Sequence, residues 1–295
     1  MEVAELPAGA SILSADPPLI TEAEARKIMR VLGEAENRFA ASLTIPLYWV
    51  VREEDGGYSA RNGSAFILNT GERTFGVTAK HVIDGWRADR ETNRIVSLQL
   101  SDITFEPDGR NAVIAAHTDI DIATFQITHE EIQAIGKTVL SGYQSAWPPP
   151  PPEQDRGIYY AGFPGVERKW LSRNEIQFGV VTGGGVATYV GRTDVVSAIE
   201  REYLIPVFEQ GVTPVNFNFG GISGGPMLSV IEHRGLRTWA LAGVIYQGPN
   251  TSDDPDQAIA GVEIIKARRA CFIRPDGSLD VDKWEEIYPS GPARA

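Results

Sequence analysis

The sequence predicts an all-β protein made of two antiparallel β units joined by one connector, with a helix at each end. Three observations carry this. Short β-branched and aromatic runs recur from Thr44 onward, turn-forming clusters such as "EDGG", "NTGE" and "PDGR" separate them, and one run of five prolines divides the series in two. Strands of this length, with turn chemistry between them, indicate an antiparallel sandwich or barrel.

Taken in order, residues 1–20 are rich in Pro, Ala and Ser and have no pattern that would hold them down. "TEAEARKIMRVLGEAENRFAAS" opens with Thr21 and Glu24 in capping-box spacing, and Ile28, Leu32, Ala35 and Phe39 fall on one helical face. Residues 1–43 are therefore an extension carrying a helix with one side to bury. The runs "TIPLYWVV", "SAFIL", "TFGVTA", "RIVSLQL", "NAVIAA" and "IATFQI" make the first β unit, 44–135. At 136–156, "SAWPPPPPEQDRG" favours extended polyproline and lacks ladder donors, so it reads as a linker. "GIYYAGFPG", "EIQFGVVTGGG", "EYLIPVF", "PMLSVIE", "WALAGVIYQG" and "AIAGVEII" supply the second unit, 157–262. Helical spacing from Glu263 to Phe272 predicts a terminal helix and tail over 263–295.

Composition limits the partners. The chain has 295 residues, 42% hydrophobic and 22% charged, enough for two cores. Its net charge of −12 repels a nucleic-acid backbone and an anionic membrane alike. The start carries Glu2 and Glu5 with no basic stretch before an apolar core, and Cys271 is the single cysteine. Both features favour the cytoplasm as the expected location.

The chemistry begins at "FNFGGISGGPML", residues 217–228, where Ser223 stands among glycines. Glycine is placed where the backbone must take φ > 0 or let another group approach closely. "VTAKHVID" sets His81 where an apolar strand ends, and "DIDIATFQI" sets carboxylates at the start of a strand. Serine alone is a weak nucleophile; a base must take its proton, and a third group must hold that base in the right tautomer. Free main-chain N–H groups beside the serine would bind the oxyanion.

The order His, Asp, Ser and the strings "TAKHV", "DIA" and "GISGGP" resemble the chymotrypsin and trypsin superfamily of serine proteases, in its bacterial, disulfide-free form. The likeness covers roughly residues 44–273, with "GFPG" similar to the opening of the second barrel in bacterial members. It implies two six-stranded antiparallel Greek-key barrels. It also implies His81 as general base and acid, Asp121 as its orienting partner, Ser223 as nucleophile, and the N–H groups of Gly221 and Ser223 as the oxyanion site. Asp119 competes with Asp121; the Ile-Ala that follows Asp121 favours the latter. The primary pocket would have Phe217 at its base and Tyr246, Gln247 and Gly248 along one wall, selecting small or medium apolar residues, with Asp253, Asp254 and Asp256 close by. Ile222 replaces the aspartate that pairs with a newly cut N-terminus in many secreted members, so that switch is expected to be absent. Lys80 replaces a small residue and reads as a solvated turn side chain.

Other patterns fail. "HEEIQ" has Gln133 where a second zinc-ligating histidine must stand, and "TGGGVA" lacks the context of a dinucleotide site and reads as a hairpin turn. The expectation is thus an intracellular serine endopeptidase acting on a protein or peptide substrate without a cofactor. The alternative is a protease-fold scaffold that has lost turnover, which should also have lost a member of the triad. The apolar face of the first helix must pack on the first β unit or on a regulatory protein partner.

Overall fold

The computed structural model describes residues 21–92, 95–141, 147–172, 175–199, 217–233, 236–249 and 263–289. The chain divides into two units, 1–35 and 36–295. Helix α1 (Glu22–Leu43) starts with the expected box: Glu24 N–H donates to Thr21 Oγ1 at 3.3 Å, and Thr21 N–H donates to Glu24 Oε2 at 2.9 Å. In its last turns Ala40 and Leu43 are fully buried, and Phe39, on the expected face, stacks on Trp239 at 4.9 Å.

The first β unit holds β1 (Thr44–Arg52), β2 (Tyr58–Asn69), β3 (Thr74–Thr78), helix α2 (Lys80–Glu91), β4 (Ile95–Leu100), β5 (Ile103–Thr104), β6 (Val113–His117), β7 (Ile122–Phe125), helix α3 (His129–Ile135) and β8 (Leu140–Ser141). Its eight strands form one sheet in the order β5-β4-β1-β2-β3-β7-β6, with β8 parallel to β2. The hydrogen-bonded path is open, with β5 and β6 at its ends, where a closed six-stranded barrel was expected. Among the described residues no ladder joins β5 to β6, so one closed barrel is shown and a second is not. Apolar residues of this sheet still surround one core, Ile45, Leu47, Ile67, Leu98 and Phe125 among them, capped by Val82, Ile83 and Trp86 of α2.

The second β unit is a closed antiparallel barrel. It runs β12-β13-β16-β15-β14-β9, formed by β9 (Gly157–Gly162), β12 (Val181–Val190), β13 (Asp194–Ile199), β14 (Pro226–His233), β15 (Leu236–Gln247) and β16 (Glu263–Arg269). A separate hairpin, β10 (Arg168–Ser172) with β11 (Glu175–Phe178), stands between β9 and β12. Glu263–Arg269 is therefore a strand and not the expected helix. Its 3.6-residue spacing was a coincidence of a strand that buries Ile265 and Ala267 in the barrel and offers Arg268 to the other side. The terminal helix lies later, as α4 (Val281–Ile287). "TGGGVA" also lies inside β12, because Tyr159 and Tyr160 of β9 cover the places where side chains would stand. The expected strand "EYLIPVF" and Asp253, Asp254 and Asp256 lie outside the described residues.

A third apolar cluster joins the two β units. Phe66, Leu68, Phe75, Val77 and Ile122 of the sheet meet Ala161, Leu228, Leu241 and Val244 of the barrel. Sheet and barrel are thereby packed face to face, and loops from both converge along the seam. Among the described residues, no helix is long and apolar enough to cross a membrane.

Candidate active site

His81 stands in the first turn of α2, not in a turn as its sequence suggests. The N-cap position is Ala79, whose methyl group accepts no hydrogen bond, so the first N–H groups of the helix need partners from elsewhere. Asp121, immediately before β7, supplies them. Its Oδ1 accepts from His81 N–H at 2.9 Å, and its main-chain oxygen accepts from Lys80 N–H at 3.4 Å. Its Oδ2 meets His81 Nδ1 at 2.7 Å. One carboxylate thus caps the helix, where negative charge is favourable, and orients the ring that the helix carries. A carboxylate oxygen only accepts, so Nδ1 is assigned as the donor in this pair and Nε2 is the ring nitrogen left for another partner. Lys80 pairs with Asp84 one turn on, so it is a helix-surface ion pair rather than a turn side chain.

Asp121 lies in the left-handed region, φ 56°, which short polar side chains tolerate best. Asp119 does not reach the histidine in these hydrogen bonds; it is exposed, and its main-chain oxygen accepts from Arg268 at 3.1 Å.

Ser223 is held in a glycine loop pressed between sheet and barrel. Gly224 has φ 89°, and a Cβ there would collide with Ser64 O and Thr78 Oγ1. A Cβ on Gly225 would collide with Ala161 O of β9. The glycines are needed because the loop passes between two backbones. Within it, Ile222 N–H donates to Phe219 O at 3.1 Å, Gly224 N–H to Ile245 O at 2.7 Å and Gly225 N–H to Ile222 O at 3.0 Å. The N–H groups of Gly221 and Ser223 have no partner among the described residues. Gly221 also has φ 105°, a conformation open to glycine.

Ser64 of β2, which sequence reasoning missed, ties this loop to the sheet. Its N–H donates to Ser223 O at 2.7 Å; its Oγ donates to Gly221 O and accepts from Phe163 N–H, both at 2.9 Å. Nothing in the string "NGSAF" marks the serine, since its partners are about 100 or more residues distant. Ser64→Ala leaves the buried Phe163 N–H and the partly buried Gly221 O unpaired and frees the Gly221 peptide to turn. It is expected to cost about 1–3 kcal/mol in urea unfolding, at unchanged dependence on denaturant. It is also expected to slow covalent modification of Ser223 by roughly tenfold or more, through loss of an oriented N–H.

The hydroxyl of Ser223 donates to Tyr246 O at 3.4 Å, and no hydrogen bond joins it to His81. Tyr246 enters the site through that carbonyl. Its ring, expected to line a pocket wall, turns the other way and lies over the Arg268 guanidinium at 4.8 Å. Ile245 fills the barrel and Val244 packs in the seam, and at Tyr246, where the pairing of β15 with β16 shifts register, the ring lies toward Arg268. Burial, with the carboxylate of Asp194, pushes the Tyr246 hydroxyl above the ordinary tyrosine range, so it remains a donor.

Phe217 is buried in the barrel core, edge-to-face with Phe219 at 4.9 Å. Gly248 lies against Phe219 and Ile222, with no room for a Cβ. Gln247 is half-buried at the end of β15, opposite Lys266. Ile222 is itself buried in the barrel's apolar cluster, against Gly162. No protein-family model matches this chain, and a search of curated proteins returned no match.

Proposed function

We propose that the chain is a serine endopeptidase of the chymotrypsin-like kind, its first sheet corresponding to an opened first barrel and its second unit to the closed one. The observation that carries this reading is the pair of bonds from Asp121 to the ring and main chain of His81, which leaves Nε2 as the basic nitrogen. In the reaction Ser223 Oγ attacks the peptide carbonyl while Nε2 takes its proton. The C–N bond then breaks, the leaving amine receives that proton from His81, and water repeats the sequence on the acyl-enzyme. The unpaired N–H groups of Gly221 and Ser223 receive the oxyanion. For this reaction the Ser223 hydroxyl must exchange its bond to Tyr246 O for one to Nε2; such catalytic bonds often form only when substrate is seated. With Phe217 and Ile222 apolar and packed beside the Ser223 loop and no carboxylate among them, the expected preference is for a small or medium apolar residue before the cut bond.

The test is a fluorophosphonate probe followed by peptide mapping. Modification confined to Ser223, lost in Ser223→Ala, supports the proposal. A folded chain that takes up no label favours the silent, protein-binding alternative. The orienting role is read from two further variants. Asp121→Asn, which keeps the left-handed backbone, is expected to slow labelling by about 10⁴, and Asp119→Asn to leave it nearly unchanged. The reverse pattern would transfer the role to Asp119.

A further inference from the structure

Arg268 is the least expected side chain near the triad. It belongs to β16 of the barrel, yet it reaches across the seam to the first sheet. Its Nε donates to Ile120 O at 2.8 Å and its Nη2 to Asp119 O at 3.1 Å. These are the two carbonyls that precede Asp121. Its Nη1 is anchored on Asp194 Oδ1 at 2.8 Å, and Thr193 Oγ1 donates to the other oxygen of that carboxylate at 2.7 Å. The guanidinium plane lies between two rings, Tyr246 at 4.8 Å and Trp284 of α4 at 4.7 Å. Its side chain is only 9% exposed.

Such a group has little freedom. A planar fork held by a bond from each of its three nitrogens is preorganised, and breaking it would leave a largely buried charge poorly paired. Asp121, by contrast, needs outside help: its left-handed φ costs roughly 1 kcal/mol and persists only where neighbouring structure imposes it. On one side its N–H is held by His117 O at 2.9 Å. On the other, Arg268 holds the two preceding carbonyls. Tyr246 links the same cluster to the nucleophile, since its ring covers Arg268 while its carbonyl receives the Ser223 hydroxyl.

We infer that Arg268 is a positioning residue: by clamping the Asp119 and Ile120 carbonyls from the opposite β unit, it fixes Asp121 in the geometry that orients His81. The inference deepens the hydrolase reading of the site and rests on it. It also makes the orientation of the triad depend on correct docking of barrel on sheet.

Arg268→Lys keeps the charge and the stem between the two rings but cannot span the carbonyls and Asp194 together. It is expected to slow fluorophosphonate labelling of Ser223 by about 10²-fold, the scale of a small misplacement in a catalytic group. In an Asp121→Asn background the same change should alter the rate by no more than about twofold, because the group through which it acts is already disabled. Equal losses in both backgrounds, or no loss in either, would overturn the inference. A second reading does not need activity: the downfield Nδ1–H proton resonance of His81 should broaden or shift in Arg268→Lys, and an unchanged resonance counts against the clamp. Failure of Ser223 to label in the unsubstituted chain would defeat the hydrolase reading instead, leaving the resonance to decide on Arg268. Should Arg268→Lys not fold, Asp194→Asn retains the arginine and removes its anchor, and the same two measurements apply with the same opposing outcomes.

Discussion

Ser223→Ala and His81→Ala are each expected to lower turnover by roughly 10⁴ to 10⁶, and the double variant by scarcely more than either alone. The reason lies in shared chemistry. In the proposed mechanism the hydroxyl attacks only as Nε2 takes its proton, and the ring has no proton to transfer without the hydroxyl. Residual turnover would come from the unpaired N–H groups of Gly221 and Ser223, which none of the three variants removes. The rates are read as new N-termini released from a peptide mixture. Losses that multiply in the double variant would mean that serine and histidine act in separate events, and the triad would be dissolved. Neither side chain is needed for the fold: His81 is half exposed, and Ser223 makes one long hydrogen bond through its hydroxyl. Melting temperatures close to that of the unsubstituted chain are therefore expected.

The second large effect is on stability. Gly224→Ala is expected to cost on the order of 2–4 kcal/mol, from left-handed strain of about 1 kcal/mol together with the overpacking cost, about 1–3 kcal/mol, of a methyl group driven into the Ser64 carbonyl and the Thr78 hydroxyl. Gly56→Ala isolates the first contribution. Gly56 has φ 82° but nothing within 4 Å of its missing Cβ, so its loss should stay near 1 kcal/mol. Urea unfolding of the two variants gives the difference directly. Equal costs would show that Gly224 is required only for its backbone conformation, and that the Ser223 loop is not wedged between sheet and barrel. Because Ser223 precedes Gly224 and its carbonyl is held by Ser64, any relief of the overlap should displace the hydroxyl as well. Labelling of Ser223 is expected to fall with stability.

Local chemistry is legible in the sequence. The capping box at Thr21 and Glu24, most strands from Thr44 to Phe125, and the glycine loop around Ser223 each follow from the residues within one short window. Alternation, cap spacing and glycine's freedom act over a few positions, so a linear reading reaches them. The same reading misjudged Glu263–Arg269, whose apolar spacing suits a helix. Two neighbouring strands, β13 and β15, decide that it closes a barrel, and neither is near it in a window of helical length.

The helix that carries His81 was missed for a related reason. Its N-cap is an alanine, and the group that completes its first turn is Asp121, which comes from another strand. The sequence by itself determined the all-β texture and which serine, histidine and aspartate were worth comparing. Only the tertiary structure decided that the Asp121 carboxylate takes both N–H groups of His81, that Tyr246 turns its ring toward Arg268, and that Ser64 and Arg268 hold the loops from opposite sides of the seam. Hydrogen bonds between distant segments exist only once sheet and barrel are docked, and their directionality leaves no periodic trace in the chain that makes them.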